Sequence, residues 1–498
     1  MAIVLGPVLG FRGGNEAVWQ VGALVVTDGG EPSRLQSQGK AVAGKQLAEH
    51  KGRTVWRFDF EVQRGEEDTP VLYEVEGKSF AFTVPAAGRT PRMAYTSCNG
   101  FSSLKLLKSI ADKYALWKIM AQRHAAAPFH LLLMGGDQVY ADEMWETVEP
   151  LKRWNELPAD KGNKAPFSAA MAAKVRDFYF DLYCRRWSQP ELRDMLASVP
   201  TLMMWDDHDI FDGWGSYPPE RQTCPVFDGI FALAREHFRL FQRQEDAGSL
   251  AAAALFPERG FTVGHRLGDL ALLTLDMRSE RTGEQVLSRD HWNAIYAWMD
   301  GLTGKSQCRH LVVMTSIPVL YPGFDMIEQA LGILPGQQEI EDDLRDHWRS
   351  RPHKEERLRL LHRLLAFSER EKTRVTLVSG DVHVAALGIL ESTRSRDGNA
   401  NVINQLIASG IVHPGPPGLL LFALEKLFSP VEEIDRGITA EMACMPGTRR
   451  RFLGGRNWLS LCPDPPPHSD QGRLWAEWTV EGEDHPYTKV IHAVEETP

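Results

Sequence analysis

Residues 202–209 are Leu202-Met203-Met204-Trp205-Asp206-Asp207-His208-Asp209, an apolar run that ends abruptly in four side chains able to bind metals or protons. Two other apolar runs end in the same way, at residues 130–140 (His-Leu-Leu-Leu-Met-Gly-Gly-Asp-Gln-Val-Tyr) and 375–383 (Val-Thr-Leu-Val-Ser-Gly-Asp-Val-His). Short apolar runs bounded by turn residues are typical of buried strands. We therefore predict three buried strands that each end in aspartate, histidine or both.

Polar residues at several strand ends can gather in one place, because ligands of open, helix-flanked sheets bind beyond the carboxyl ends of the strands. Asp137, the acidic segment 206–209, Asp381 and His383 would then form a cluster of carboxylates and imidazoles, as a multi-metal hydrolase needs. For any one motif, the alternative is an aspartate that caps the following turn or helix. Adjacent carboxylates repel each other without a cation, and the threefold recurrence favours a metal site.

A fourth predicted strand end lies upstream, where residues 91–101 indicate a strand, a turn containing Cys98 and the start of a helix. A lone cysteine is usually a small buried hydrophobic residue. Here the helix begins after Ser102 or Ser103, and a helix N-terminus favours the thiolate form of a nearby cysteine. On the sequence alone, Cys98 is either a core residue or a metal ligand.

The 498-residue chain has an ordinary globular composition, 43% hydrophobic and 24% charged. Its formal net charge of −10 argues against a nucleic-acid-binding surface. The cysteines are widely spaced, without a Cys-x-x-Cys pair, which is compatible with a reducing compartment. They are Cys98, Cys184, Cys224, Cys308, Cys444 and Cys462. No secretory or twin-arginine leader and no membrane-spanning apolar run is visible in the sequence, so we expect a cytoplasmic protein without a transmembrane segment.

The pattern predicts three regions. Residues 1–90 alternate between apolar and polar side chains and are expected to form an N-terminal β-sandwich domain. Residues 91–415 alternate between strands and helices, as in an α/β catalytic domain, with helical insertions at about 142–198 and 322–373. Residues 416–498 are expected to form a C-terminal extension that ends in a β-hairpin.

Taken together, the motifs resemble those of the PhoD-like alkaline phosphatases and phosphodiesterases, a branch of the calcineurin-like metallophosphoesterases. The matching segments are Ser97-Cys98-Asn99, Gly136-Asp137-Gln138-Val139-Tyr140, Trp205-Asp206-Asp207-His208-Asp209 and Ser379-Gly380-Asp381-Val382-His383. The resemblance covers roughly residues 91–415, and the N-terminal β-domain also has a counterpart in the family. It implies a four-layer α-β-β-α sandwich, with helices outside two packed sheets and a metal cluster at the strand ends.

The resemblance also implies two metals. The ligands of the first, a ferric iron, would be Cys98, Asp137, Tyr140 and His383. Asp137 would bridge to a second metal, whose other ligands would be Asp207 and Asp381. Thiolate, phenolate and imidazole suit a transition metal, whereas carboxylates suit calcium, magnesium or manganese, with zinc as a further option. Commoner relatives have histidine where this chain has Asp381 and Ser316, which leaves the second metal open.

The reaction that the resemblance implies is hydrolysis of a small-molecule or lipid phosphate ester, by in-line attack of a metal-bound hydroxide. His208 occupies the position of the general acid. Asp209 occupies that of the carboxylate that orients it, where the family usually has glutamate. Arg278 and Arg281 follow another apolar strand, and the arginine fork suits phosphate binding. A surface ion pair with a neighbouring acid explains these arginines equally well.

Other functions compete with this interpretation. A catalytically silent metal-binding or scaffold protein on the same fold would need neither His208 nor Asp209. A serine or cysteine hydrolase would use Ser97 or Cys98 as its nucleophile, but no Gly-x-Ser-x-Gly motif supports it. Within the phosphoesterase class, strict phosphodiesterase or phospholipase-type specificity is a further alternative, because the ligand set does not determine it.

Overall fold

A computed structural model describes residues 2–30, 32, 34–246, 253–302, 308–321, 348, 350–394, 400–427, 430–465 and 472–494. The chain forms two compact units. The first unit comprises residues 1–93 and 100–253, and the second comprises residues 94–99 and 254–498. Of the helical insertion expected at about 322–373, residues 322–347 lie outside the described residues. Among the described helices, none has the length and apolar character needed to cross a membrane.

The first unit contains two sheets. Its strands are β1 (Ile3–Gly14), β2 (Val18–Thr27), β3 (Leu35–Ser37), β4 (Lys40–Val42), β5 (Lys45–His50), β6 (Arg53–Gln63), β7 (Thr69–Val75), β8 (Lys78–Val84), β10 (Leu131–Met134) and β11 (Thr201–Met203). The strand β9 (Met93–Thr96) belongs to the second unit except for its first residue. One sheet of the first unit has the order β10-β11-β1-β2-β6-β5, and the other has the order β4-β3-β7-β8.

The N-terminal strands are not a compact unit of their own. β1 pairs in parallel with β11, with Gly10 opposite Thr201, and antiparallel with β2. Alternation within each strand is visible in the local sequence, but pairing between segments this distant along the chain is not. The boundary expected at residue 90 therefore does not separate two compact units, because residues 1–93 share theirs with residues 100–253.

The first unit also contains helices, and those between residues 144 and 196 fill the region where an insertion is expected at about 142–198. The helices are α1 (Leu104–Ser109), α2 (Ala115–Ala126), α3 (Met144–Thr147), α4 (Glu149–Asn155), α5 (Ala159–Gly162), α6 (Ala169–Trp187), α7 (Pro190–Leu196), α8 (Pro219–Gln222) and α9 (Pro225–His237). Two 3₁₀ turns lie at Ala141–Glu143 and Asp207–Asp209, and a π turn at Phe238–Gln242 continues α9. α6 begins at the N-cap Ser168, and its buried Tyr183 stacks on Phe241 with ring centroids 4.5 Å apart.

The second unit has a mixed sheet and an antiparallel one. Its strands are β12 (Val263–Leu267), β13 (Leu270–Thr274), β14 (His310–Met314), β15 (Arg374–Ser379), β16 (Ala385–Ser392), β17 (Val402–Ala408), β18 (Val431–Asp435), β19 (Ile438–Ala443), β20 (Phe452–Leu453), β21 (Asn457–Pro463), β22 (Leu474–Val480) and β23 (Tyr487–Ile491). The mixed sheet has the order β12-β13-β14-β15-β17-β16-β19-β18, and β20 pairs with β16. β22 and β23 form an antiparallel hairpin where a terminal hairpin is expected.

The core of the second unit packs helices against buried parallel strands. The helices are α10 (Arg289–Gly301), α11 (Arg351–Glu371) and α12 (Gly418–Leu427). Val313 of β14 and Leu377 of β15 are fully buried in one apolar cluster with Leu364 of α11. β13, β14 and β15 run parallel to one another, so the loops that follow them leave the same edge of the sheet.

Candidate metal centre

The site residues of the first unit lie on the two loops that follow β10 and β11. These strands are parallel neighbours, with Met134 opposite Met203. One oxygen atom each of Asp137 and Asp207 and one ring nitrogen of His208 lie within 4.8 Å of one another, and all three residues are buried. The first unit therefore brings three predicted site residues together in a group that can hold a cation.

The charges of this group favour a bound cation. Burial raises the pKa of Asp137 well above its ordinary value, and the negative charges of Asp206 and Asp207 raise it further, although His208 opposes them. A buried carboxylate among other carboxylates is stabilised by a proton or by a metal ion. Carboxylate oxygens are the preferred ligands of hard divalent cations, so the donor atoms fit such an ion.

Asp209 binds the backbone of both loops. Its carboxylate accepts hydrogen bonds from the N–H groups of Asp137 (2.9 Å), Gln138 (3.1 Å) and Val139 (3.2 Å) on one loop. On the other loop it accepts from the N–H of Asp206, at 3.0 Å. Burial raises the pKa of Asp209 to about 7, although these hydrogen bonds lower it. The carboxylate of Asp209 therefore fixes the loop that carries Asp137.

The π turn adds a side chain to this arrangement. The Nε2 atom of Gln242 donates to the carboxylate of Asp209 at 2.8 Å and lies 2.9 Å from the hydroxyl of Tyr183. π turns are rare in helices and occur frequently at functional sites. No sequence motif indicated Gln242, because its partner Asp209 is distant along the chain.

Asp142 orients His208. The Nδ1 atom of His208 lies 2.6 Å from one carboxylate oxygen of Asp142, and the other oxygen accepts from the N–H of Asp212 at 2.8 Å. Burial lowers the pKa of His208, but the charges of Asp142 and Asp207 outweigh it and raise this pKa well above its usual value. Asp142, rather than the expected Asp209, thus holds the ring, because backbone N–H groups and Gln242 occupy Asp209.

Tyr140 lies against a face of this histidine. Its ring stacks on the ring of His208, with centroids 4.2 Å apart and planes inclined by 28°. Gly100 makes room for the phenol, since a Cβ atom at that position would overlap Cδ2 of Tyr140. The glycine that follows the Ser-Cys-Asn motif is therefore needed for packing.

Three further predicted ligands belong to the second unit. The Sγ atom of Cys98 lies 3.1 Å from the hydroxyl of Ser409 and 4.0 Å from the carbonyl oxygen of Asp381. His383 stacks on His413, with ring centroids 3.8 Å apart. The second unit thus places Cys98 beside Asp381 and pairs His383 with a histidine that no sequence motif indicated.

Four predicted ligands share an unusual backbone conformation. The φ angles are +52° at Cys98, +55° at Asp137, +70° at Asp381 and +52° at His383. This left-handed region is unfavourable for residues other than glycine, and such residues cluster at active sites, where the surrounding structure imposes the conformation. The shared conformation supports a functional role for these positions.

The predicted phosphate-binding arginines lie in the second unit, on the loop after β13. Arg278 and Arg281 are buried, with 0% and 2% exposure, so they do not lie at the protein surface. The carboxylate of Asp276 accepts from the N–H groups of Phe261 (2.9 Å), Arg278 (3.1 Å) and Ser279 (3.0 Å), and from the Ser279 hydroxyl. Asp276 therefore fixes the backbone of this loop.

Acidic loops at the ends of parallel strands can hold metal ions that assist hydrolysis, and a buried histidine–carboxylate pair can supply a general acid. The chain belongs to the family described as PhoD related phosphatase, whose model matches residues 77–335 and 332–431.

The chain is also similar to individual proteins. The uncharacterized protein YGR266W of Saccharomyces cerevisiae is 26% identical over 511 aligned residues, which cover 83% of this chain and 71% of that protein. A structure of PhoD superposes with a TM-score of 0.59 at 13% identity, covering 99% of this chain and 90% of that one. This similarity shows a shared fold. A structure of a dimetal phosphatase from Danio rerio aligns with 81% of this chain and with 100% of its own chain, at 8% identity. Its TM-score of 0.37 is too low to support an argument.

Proposed function

We propose that the protein is a metal-dependent phosphoric ester hydrolase of the alkaline phosphatase and phosphodiesterase type. The buried group of Asp137, Asp207 and His208, with Asp142 against His208, carries this proposal. A purely structural cation site has no need of a protonated histidine held by a further acid. The substrate class is a small-molecule or lipid phosphate ester.

The ligand roles and the four-layer α-β-β-α arrangement implied by the motifs are part of the same proposal. The iron ligands would be Cys98, Asp137, Tyr140 and His383, and the ligands of calcium, magnesium, manganese or zinc would be Asp137, Asp207 and Asp381. Thiolate and phenolate suit a transition metal, and carboxylates suit a hard cation. Bound metals would supply Lewis acidity and lower the pKa of water.

The protein's own residues would divide the remaining work. His208 would donate a proton to the oxygen of the leaving group. Asp142 engages Nδ1, so Nε2 is the nitrogen left for this donation. Arg278 and Arg281 would bind phosphate oxygens through their planar forks.

Metal analysis of the purified protein, combined with hydrolysis assays, tests the proposal. We expect bound metal, turnover of nitrophenyl phosphate or its bis ester, loss of turnover with a chelator, and recovery on adding metal. Bound metal without turnover of either ester would support the scaffold alternative. Turnover that a chelator leaves unchanged, in protein without metal, would support the serine or cysteine hydrolase instead.

The colour of the protein tests the iron assignment separately. Phenolate and thiolate donate charge to ferric iron, so the purified protein should absorb visible light. Tyr140→Phe and Cys98→Ser should each remove or shift the band. Zinc is d¹⁰ and has no such transition. A colourless, fully active protein without iron would keep the hydrolase but replace iron with zinc or manganese.

A further inference from the structure

The helix α12 exposes large apolar side chains. Leu419 is 64% exposed and Phe422 is 61% exposed. Residues three positions apart lie on the same face of a helix, so the two side chains form one apolar surface. A single exposed leucine needs no explanation, whereas exposed apolar side chains that form a contiguous patch can mark an interaction site.

The opposite face of α12 is anchored. Leu420 and Leu424 are buried in an apolar cluster with Met442 and Phe452. Glu425 accepts hydrogen bonds from the N–H groups of Arg451 and Phe452. The exposed side chains therefore belong to a helix whose other face is packed in the core.

Basic residues accompany the apolar surface. Lys426 lies seven positions after Leu419 and so on the same helix face. Glu425 binds the backbone of Arg451, which brings the turn containing Arg449 to the C-terminal part of α12. Lys426 and Arg449 are exposed, and neither forms an ion pair with any residue that the structure describes.

We propose that this face of α12 docks on an anionic lipid surface. Leu419 and Phe422 would enter the boundary between headgroups and acyl chains, while Lys426 and Arg449 would meet the negative headgroups. A helix of ten residues is far shorter than the roughly 20 residues that cross a bilayer, but it is long enough to lie on one.

α12 is linked to the candidate site within the second unit. The chain leaves His413, which stacks on His383, and enters α12 at Gly418. Gly415 lies between them, and a Cβ atom there would lie 3.0 Å from the carbonyl oxygen of His383. Docking of α12 would therefore bring His383 close to a lipid surface. This last step rests on the proposed function, but the docking does not.

Co-sedimentation of the full chain with vesicles tests the docking. We expect binding to vesicles of phosphatidylcholine mixed with phosphatidylserine, weaker binding to phosphatidylcholine alone, and further weakening by salt. The double substitution Leu419→Ser/Phe422→Ser should weaken binding by about tenfold or more, since each side chain loses its apolar burial. Lys426→Gln should weaken binding roughly fivefold, because one basic residue contributes about 1 kcal/mol near an anionic surface.

Leu72→Ser is the matched control, because Leu72 is 71% exposed and lies in the first unit. It should bind vesicles like the unaltered protein. Hydrolysis of soluble nitrophenyl phosphate should be equal in all these variants, which separates this inference from the proposed function. Absent vesicle binding, or unchanged binding by Leu419→Ser/Phe422→Ser, would overturn the docking. So would a dimer in light scattering that this variant converts to a monomer, since α12 would then contact a second copy.

Discussion

The acidic loops of the first unit and the arginine loop of the second are held in the same way but carry opposite charges. In the first unit, the buried carboxylate of Asp209 accepts from backbone N–H groups around Asp137. In the second, the buried carboxylate of Asp276 accepts from backbone N–H groups next to Arg278. A carboxylate that collects several N–H groups fixes a loop that has no regular secondary structure of its own.

The difference lies in what each fixed loop presents. The first presents Asp137 and Asp207, whose oxygens suit a cation. The second presents Arg278, whose guanidinium suits a phosphate oxygen. Under the proposed function, the same structural solution would serve two binding tasks, and the variants below test whether the two loops differ in task or only in sequence.

The largest effect is expected for Asp137→Asn. Loss of this carboxylate should remove bound metal and lower turnover by a factor on the order of 10³ or more, because metals contribute several kcal/mol to catalysis. Metal content, ester hydrolysis and circular dichroism measure the outcome. Asp160→Asn, at an exposed position of α5, is the control. A folded Asp137→Asn protein with full metal content and turnover would refute a ligand role for Asp137.

A smaller effect is expected for Asp142→Asn, roughly 10- to 100-fold in turnover with metal retained. His208 would act as an acid only while its ring is protonated, so activity should fall as the pH rises through its pKa, which the neighbouring carboxylates raise. The substitution removes a negative charge that raises this pKa, and the fall should therefore move to lower pH. The pH dependence of kcat/KM measures the shift, with His208→Ala as the reference that lacks the acid. An unchanged pH profile would show that Asp142 does not tune the pKa of His208, the proposed general acid.

The smallest effect on turnover is expected for Asp209→Asn and Asp276→Asn, because each changes a residue that fixes a loop and not a predicted metal ligand, so any loss of metal should be partial. Each change removes a buried acceptor, which should lower the free energy of unfolding by about 1–3 kcal/mol. Only Asp209→Asn should lower the metal content, and only Asp276→Asn should raise KM at full metal content. Denaturant unfolding, metal analysis and steady-state kinetics measure these outcomes. If both variants lost the same property, the two loops would share one task.

The predicted ligands can be identified from the sequence because each follows a short apolar run within a few residues. Asp137, Asp207 and Asp381 are such residues, and the structure places each after a buried strand. The hydrogen-bond partners of the site residues cannot be identified from the sequence. Asp142 reaches His208 across 66 positions of the chain, a contact that no local pattern encodes.

The N-terminal strands show the same limit at the level of the fold. The alternation within β6 was visible, and the structure contains this strand. The parallel pairing of β1 with β11 was not visible, because register between distant strands depends on the packing of the whole sheet. The sequence therefore predicted strands in residues 1–90 but assigned them to a separate domain.

The π turn at Phe238–Gln242 limits which insertions and deletions this region can tolerate during evolution. A π turn contains one residue more than an α-helical turn would need, and each helical residue advances the chain by about 100°. Deleting one residue from this turn would restore a regular α-helix and rotate Gln242 by about 100°, away from Asp209. Insertions and deletions here should therefore be selected against, even where substitutions on the outer face of α9 are neutral.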